Sequence, residues 1–380
     1  MSDNHCIWND LFVKTSWSIF QPVQGVAEFY VVAEILDTTL SGQEQFHCMD
    51  RAVERLKTIE VFKKAVFVWK RYFVSDAVNQ HAWLNSPSSE AVTIIQQPPL
   101  NGAKVALLLY AVENASLHLE NDGTVAMIQS HYTHLYHTQL HEKSGDSFEQ
   151  TRAVFKEYLQ KLANHRCTLE AHCLRTWLFV QNIDNRYRGM VRARKELFAL
   201  EGLTSQTHFI ASTGIEGQFI YPDVFVTMDA YAVQEIRREQ IRYLYATSNL
   251  NSTYEYGVTF ERGTCIQYGD RRHIFISGTA SINNRGEIVY PLQLEKQTGR
   301  AMENIHALLS EAEAGWPDVT HLIIYLRDIA DYENTRRYFE TNYPEIPYVI
   351  LLAPVCRPGW LVEVECMAIK AVSDDRFEAF

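Results

Sequence analysis

The sequence of 380 residues lacks several features that assign a protein to a class at once. Its longest apolar runs, such as residues 105–112, have the length of a strand and fall far short of the roughly 20 residues that cross a bilayer. Basic charge is not in excess, since 35 Lys and Arg stand against 46 Asp and Glu and the net charge is −11. We therefore expect neither a membrane span nor a nucleic acid as the main partner.

Familiar catalytic and metal-binding motifs are missing as well. There is no GxxxxGK[ST] phosphate loop, no GxGxxG fingerprint and no GxSxG elbow, which argues against nucleotide and serine-hydrolase chemistry. The seven Cys are odd in number and show no CxxC spacing, which favours reduced thiols. Four histidines, at positions 131, 134, 137 and 141, match no closed metal site, so we interpret them as packed or surface residues and expect no metal.

The N-terminal residues, Met1 to Trp8, have neither a basic region nor an apolar region of the kind that directs secretion, so we expect a cytoplasmic protein. With 47% apolar and 21% charged residues, the composition is that of a folded protein with little disorder. The length corresponds to two or three domains.

What the sequence does contain is a pattern that recurs three times. Each third shows strands and helices at their typical periodicities, in the order strand, helix, strand, helix, strand, strand, with the first third shorter than the others. We predict an α+β fold of tandem βαβαββ units, in which helices pack on one face of mixed sheets. The predicted units are residues 1–118, 119–250 and 251–380. Chance alignment of a common α/β order is the alternative.

The last strand of the third unit carries the most informative residues. Along residues 361–369, Glu363 and Glu365 share one face while the apolar residues between them face the other way. In the aligned last strands of the first two units, Ala106 and Thr227 occupy the position of Glu363. Two adjacent carboxyls raise the pKa of one of them, as a general acid requires at neutral pH. The alternative is a charged pair on a solvated sheet face.

Cys356 and Arg357 lie in the turn that precedes this strand. Nothing in the sequence places a histidine base beside Cys356, so a packed side chain is the favoured interpretation over a nucleophile. Four further arginines flank the predicted strands and helices, and each has the fork that binds a carboxylate in two hydrogen bonds. They are Arg71, Arg175, Arg194 and Arg327.

Residues from about 260 to 372 resemble the RidA (YjgF) domain. The resemblance is carried by residues 275–281, 303–305, 325–328 and 361–365. That domain forms homotrimers with ligand sites between subunits, so the resemblance implies that this chain builds a pseudo-trimer internally and is monomeric. RidA-type imine deaminases hold the substrate carboxylate with an Arg fifteen residues before the Glu that matches Glu363. Here that position is Tyr348, which supplies no fixed positive charge.

Roughly residues 65 to 372 are also similar to the chorismatase family. The matching segments are residues 71–76, 97–102, 174–184, 187–194, 212–215, 277–282 and 355–358. Members of that family cleave the enolpyruvyl ether of chorismate, a dicarboxylate, and release pyruvate without a metal or organic cofactor. The resemblance implies that Glu363 donates the proton and that Arg194 and Arg175 hold the carboxylates. It further implies a pocket formed by Tyr187, Thr213, Gly214, Gly278, Thr279, Cys356 and Arg357.

Two alternatives to a chorismate-cleaving enzyme stay open. One is an enamine or imine deaminase of RidA type, which Tyr348 disfavours. The other is a small-molecule binding protein that keeps the pseudo-trimer without turnover, since Leu178, Phe179, Met190 and Ala193 depart from the family's pattern. A dianionic ligand such as chorismate requires a local cluster of arginines inside this acidic chain.

Overall fold

A computed structural model describes residues 4–84 and 89–380 of the chain. They form three mixed sheets of six strands each, in agreement with the predicted tandem units. Residues 1–3, on which the expectation of no secretion signal partly depends, and residues 85–88 of the first predicted unit lie outside the described residues.

The first sheet spans residues 5–113. Its elements are β1 (His5–Trp8), β2 (Val13–Phe20), β3 (Glu28–Ile35), α1 (Gly42–Leu56), β4 (Ala65–Val74), α2 (Ala77–Gln80), β5 (Ala91–Gln96) and β6 (Val105–Glu113). A capping box starts α1, because the Ser41 hydroxyl accepts the Glu44 N–H and the Glu44 carboxylate accepts the Ser41 N–H. All six strands are present, and the second helix, α2, has only four residues.

The second sheet spans residues 116–234. Its elements are β7 (Ser116–Leu119), β8 (Val125–Gln129), β9 (Tyr132–His141), α3 (Ser147–Asn164), α4 (Leu169–His172), β10 (Cys173–Val180), α5 (Ile183–Leu200), β11 (Ala211–Glu216) and β12 (Val226–Gln234). Gly214 lies inside β11, where it pairs with Leu178. A Cβ on Gly214 would approach Met190 and Tyr187 to within 3.4 Å, so close packing of α5 accounts for the glycine.

The third sheet spans residues 241–371. Its elements are β13 (Ile241–Leu244), β14 (Gly263–Gln267), β15 (Arg271–Ala280), α6 (Leu294–Glu311), β16 (Val319–Leu326), α7 (Tyr332–Asn342), β17 (Tyr348–Leu352) and β18 (Val362–Ala371). The helices and inner strands agree closely with the sequence periodicity. The two outermost strands on one side of each sheet were not predicted, and among them β13 and β14 are short, with four and five residues.

All three sheets share one strand order. In order they are β1-β2-β3-β6-β4-β5, β7-β8-β9-β12-β10-β11 and β13-β14-β15-β18-β16-β17. One pair in each sheet is parallel. In all three sheets the register also shifts near the start of β4, β10 or β16, where that strand pairs with β6, β12 or β18. This recurrence of order, parallel pair and bulge relates the three sheets as copies of one unit.

The common bulge allows the last strands to be compared residue by residue. Equivalent pairs are Phe73 with Ala106, Phe179 with Thr227, and Tyr325 with Glu363. The alignment that placed Ala106 and Thr227 opposite Glu363 therefore agrees with the register of the sheets. Only the third unit carries a carboxyl there.

The helices cover one face of each sheet, and the opposite faces meet in the centre of the molecule. Aromatic side chains from all three sheets contact one another there, including Tyr110 with Tyr136 at 6.5 Å and Tyr231 with Phe275 at 5.6 Å between ring centroids. The Tyr30 hydroxyl reaches the Met367 sulfur, which joins the first sheet to the third. Among the described helices, none is long and apolar enough to cross a membrane.

Candidate active site

A cavity of about 290 Å³ lies between the second and third sheets. Its walls are formed by α5 and β11 on one side and by β15, β18 and the segments that precede β14 and β18 on the other. Seven of the ten predicted site residues line it: Tyr187, Arg194, Gly214, Gly278, Cys356, Arg357 and Glu363. Residues that are distant in the sequence thus meet at a junction of two units.

The other three predicted residues lie behind the wall of the cavity. Arg175 donates to the hydroxyls of Thr213, at 2.5 Å, and Ser277, at 3.3 Å, and its guanidinium lies 3.2 Å from Glu365. The Thr279 hydroxyl donates to the Ser277 carbonyl at 2.8 Å. Arg175 therefore contacts the carboxylate next to Glu363 rather than the space where a ligand would lie.

The Glu363 carboxyl is buried at the cavity wall, with 5% of the residue exposed. Burial, followed by the negative charge of Glu365, raises its pKa from 4.5 to about 8. At neutral pH this carboxyl keeps its proton. The alternative interpretation, in which Glu363 and Glu365 decorate a solvated sheet face, is wrong because both side chains are buried.

Gly278 makes room for that carboxyl. A Cβ at this position would lie 2.0 Å from the Glu363 Oε1 and 2.7 Å from its Cδ, which is closer than a Cβ atom approaches atoms to which it is not bonded. The Gly278 N–H donates to the Thr213 hydroxyl at 3.0 Å, which ties this part of β15 to β11. The glycine thus allows the backbone of one strand to pass directly against the acid on the next.

Glu365 has the opposite protonation state, although it shares a face with Glu363. Burial works to raise its pKa, but the guanidiniums of Arg175 and Arg71 outweigh that effect and hold the pKa below its ordinary value. The Trp177 indole donates to Glu365 at 2.5 Å. The pair therefore consists of an ionised carboxylate, held by cations, and a neutral carboxyl beside the cavity.

Four arginines line the cavity, and the sequence analysis named two of them. They are Arg188, Arg194, Arg262 and Arg357. Arg194 donates to the hydroxyls of Ser212 and Thr259, each at 3.3 Å, and Arg262 donates to the Asn251 carbonyl at 3.2 Å. The acidic chain thus does contain the local cluster of positive charge that a dianionic ligand requires.

Arg188 and Arg262 were missed for different reasons. Arg188 lies one residue after Tyr187 in the recognised segment 187–194, and helical spacing to Val191 and Arg194 places all four on the cavity side. That spacing was a usable signal. Arg262 precedes β14, a strand that was not predicted, and carried no signal of its own.

Two of the other arginines noted in the sequence are engaged elsewhere. Arg71 is fully buried and pairs with Asp229 at 2.9 Å, stacked near the rings of Trp69 and Trp177. Arg327 pairs with Asp184 at 2.9 Å. Neither lines the cavity.

Cys356 faces the cavity but is not an ionised thiol. Burial, and then the negative charge of Glu363, raises its pKa to about 12, and a hydrogen bond to Tyr187 opposes that shift only partly. A protonated thiol is a poor nucleophile, so the interpretation of Cys356 as a packed side chain fits its surroundings.

The four clustered histidines, three of which lie in β9, do not converge. His134 packs in the molecular centre, where its Nδ1 lies 2.7 Å from the Tyr231 hydroxyl, whereas His137 meets the Tyr158 ring edge-on under α3. Within residues 4–84 and 89–380, no group of three or more His, Cys, Asp or Glu is arranged to hold a metal ion.

Comparisons with known proteins address the family and the fold. The endoribonuclease L-PSP family matches residues 266–370. A RutC family protein of Pyrococcus abyssi is 33% identical over 100 residues, which are 26% of this chain and 78% of that protein. The 3-aminoacrylate deaminase RutC of Acinetobacter baylyi is 29% identical over 98 residues, which are 25% of this chain and 77% of that protein.

A crystal structure of a chorismatase resembles nearly the whole molecule. The TM-score is 0.62, and the likeness covers 80% of this chain and 92% of that chain at 18% sequence identity. At this identity the likeness concerns the fold. Together with the three like sheets, it confirms the predicted architecture of RidA-like units in tandem.

Proposed function

We propose that this chain, which belongs to the RutC family through 100 of its residues, cleaves the enolpyruvyl ether of chorismate or a close analogue. The proposal rests on this family, on the fold shared with a chorismatase and on the cavity. The products are pyruvate and either a hydroxybenzoate or a dihydroxycyclohexadiene carboxylate. Glu363 is the general acid of this proposal.

One observation carries the proposal: a buried carboxyl that is neutral at pH 7 faces a cavity lined by four arginines. The arginines favour a ligand with more than one anionic group, because each guanidinium binds a carboxylate through charge-assisted hydrogen bonds. A neutral carboxyl among them can donate a proton, and because it carries no charge it does not repel an anionic ligand. Chorismate has two carboxylates and an acid-labile enol ether.

In the proposed first step the Glu363 proton moves to the terminal methylene carbon of the enolpyruvyl group. A C–H bond forms there, the Glu363 carboxylate is left behind, and the ether carbon becomes an oxocarbenium ion. The positive charge of the oxocarbenium ion then lies close to the new negative charge of Glu363. This attraction stabilises the ion.

Two fates of the oxocarbenium ion give the two classes of product. When water adds, the hemiketal collapses by breaking the ether C–O bond, and chorismate plus water becomes pyruvate plus the diene diol. When the ring hydroxyl adds instead, pyruvate leaves as the ring becomes aromatic, and chorismate is converted to a hydroxybenzoate plus pyruvate with no net water. In both cases Glu363 regains its proton.

Arg194 and Arg357 are our candidates for the two carboxylates, with Arg188 on the α5 side and Arg262 on the opposite side as further donors. Tyr187 and Gly214 complete the lining near α5. Arg175 and Thr213 have a supporting role in this proposal, since both hold Glu365 in its ionised form, and the negative charge of Glu365 raises the pKa of Glu363.

A second candidate is an enamine or imine deaminase, which the likeness to 3-aminoacrylate deaminase RutC favours. Tyr348 speaks against it, since the position lacks the cation that deaminases of RidA type use and the side chain lines a different cavity.

The proposal is tested by incubating the purified protein with chorismate and coupling pyruvate to lactate dehydrogenase. We expect NADH oxidation that the Glu363→Gln variant abolishes. Equal, background-level rates for both proteins would overturn the proposal. In parallel, semicarbazide trapping of 2-aminoacrylate tests the deaminase, and thermal stabilisation by chorismate without product would mark a binding protein without turnover.

A further inference from the structure

A second cavity, of about 410 Å³, lies between the third sheet and the first. Its walls come from α7 and β17 on one side and from β1, β2 and β3 on the other. The residues that decide its chemistry are Lys14, Glu34, Tyr332, Arg336, Glu340 and Tyr348.

This junction is built like the one that holds the first cavity. In strand order and in their parallel pairing, α7 and β17 are the counterparts of α5 and β11, which form one wall of the first cavity. In the same way β2, β3 and β6 are the counterparts of β14, β15 and β18, and β15 and β18 contribute to the other wall of the first cavity. The second cavity is therefore the same backbone arrangement, one unit further round the pseudo-trimer.

The acidic residue of the second cavity, Glu34, lies on a different strand from the counterpart of Glu363. Ala106 stands where the first cavity has Glu363, but its cross-strand partner on β3 is Glu34, whose own partner on β2 is Lys14. These three residues form a row across the sheet, so the carboxyl is displaced by one strand from the position that it has in the third unit.

Lys14 is the neighbour of Glu34 in this row, but the two side chains do not form an ion pair. Among the residues that the structure describes, no hydrogen bond reaches it and no cation lies within 4 Å of it, Lys14 included. Burial raises its pKa, and the charge of Lys14 only partly offsets that effect. A cation bound at Glu34 would satisfy this carboxyl.

Charge in the second cavity also has the opposite balance. Among the residues that the structure describes, three carboxylates, of Glu34, Glu340 and Glu345, line the space together with the cations of Lys14 and Arg336. One of those cations, Arg336, is already held by Glu340 at 2.6 Å and by Glu333 at 2.9 Å. The cavity therefore has negative charge to offer, whereas the first cavity offers positive charge.

Two aromatic side chains add affinity for a cation. Tyr332 and Tyr348 both line the cavity, and both interact electrostatically with Glu34 and Glu340, so the rings and the carboxylates lie close together. Aromatic faces attract ammonium groups, and their apolar surface packs against a hydrocarbon body.

We propose that the cavity between α7, β17 and the first sheet binds a small organic cation, a primary amine with an aromatic or apolar body, whose ammonium group lies at Glu34. The ammonium has three hydrogens to donate to carboxylates, and the body lies between Tyr332 and Tyr348. This site is separate from the proposed catalytic cavity and takes a ligand of opposite charge.

Saturation-transfer NMR with benzylamine and benzoate, two probes of one size and opposite charge, tests the proposal on the full chain. We expect benzylamine to bind the unchanged protein, to bind at least tenfold more weakly to Glu34→Gln, and to bind Glu363→Gln as well as it binds the unchanged protein. Ser16→Phe, which places a ring into the cavity from β2, is expected to abolish the benzylamine signal independently.

The proposal is overturned if benzylamine does not bind, if Glu34→Gln and Ser16→Phe leave its affinity unchanged, or if benzoate binds in a way that Ser16→Phe abolishes. Circular dichroism of each variant guards against misfolding. Since no chorismate is used and Glu363→Gln serves as a control that leaves the amine signal intact, this result and that of the pyruvate assay are independent.

Discussion

The junction between the second and third sheets and the junction between the third and first sheets each set a helix and a parallel edge strand against the next sheet. At the former, a neutral Glu363 lies among four arginines, and at the latter, Ala106 replaces the acid and carboxylates outnumber cations. A repeated backbone thus supplies the cavities, whereas a few side chains at equivalent register positions decide which charge each cavity attracts.

The largest expected difference between the junctions concerns the two acids. Replacing Glu363 by Gln should lower the rate of pyruvate release by about 10²–10⁴-fold, the usual contribution of a general acid. Replacing Glu34 by Gln should change that rate by less than about twofold, since Glu34 lies at the other junction. Equal losses in the coupled assay would contradict the assignment of catalysis to the first cavity.

The close approach of a backbone to the acid distinguishes the first junction as well. Gly278→Ala should lower activity by about 10–100-fold and destabilise the fold by about 1–3 kcal/mol, because the new Cβ overlaps the Glu363 carboxyl. Gly299→Ala in α6 is the matched control, since its Cβ meets only the Tyr338 hydroxyl at 3.8 Å and alanine favours a helix. Kinetics and thermal unfolding of both variants measure the difference, and an active Gly278→Ala would show that the carboxyl position is not critical.

The arginines allow a third comparison. Arg357→Gln should raise KM for chorismate by about 10–100-fold, the effect of one charge-assisted hydrogen bond, and change kcat much less. Arg336→Gln, at the second junction, should leave both constants nearly unchanged because Arg336 pairs with Glu333 and Glu340. A KM that responds equally to the two substitutions would argue against anion binding in the first cavity.

The smallest effect is the dependence on pH. With a pKa of about 8, Glu363 holds its proton at neutral pH, so kcat/KM should fall as pH rises above about 8. The unfolded chain loses this proton near 4.5 and the folded chain near 8, so the free energy of unfolding should fall as pH rises across that window. The slope from this group is at most about 1.4 kcal/mol per pH unit.

Glu363→Gln removes that titration, and its free energy of unfolding should therefore depend less on pH between 4.5 and 8 than that of the unchanged protein. Glu34→Gln, whose carboxyl also has a raised pKa, should change the pH dependence of stability without moving the alkaline limit of activity. Chemical denaturation at a series of pH values separates the two, and parallel curves for Glu363→Gln and the unchanged protein would exclude a neutral acid.

Much of the fold was predictable because it rests on local pattern. The alternation along residues 361–369 and the helical spacing from Leu294 to Leu309 are properties of short segments, and β18 and α6 follow them closely. The short strands β13 and β14 were not predictable in the same way, since they gain their hydrogen bonds from neighbours rather than from a pattern of their own.

In the candidate site, too, some features follow from local sequence pattern and others from tertiary contacts. Alternation alone puts Glu363 and Glu365 on one face, and segment 187–194 alone supplies two of the cavity's arginines. Which carboxyl is neutral depends on Arg175 and Trp177, which reach Glu365 from another unit. Arg262 joins the cavity only because β14 runs beside β15.

The sequence by itself determined the threefold repetition of elements, the pair of carboxyls on the last strand and the single unit that carries an acid at position 363, because each is a matter of spacing along the chain. Only the tertiary structure decided the protonation of that acid and the opposite charges of the two cavities. Those properties depend on burial and on Coulomb interactions between groups that distant segments bring within a few ångströms.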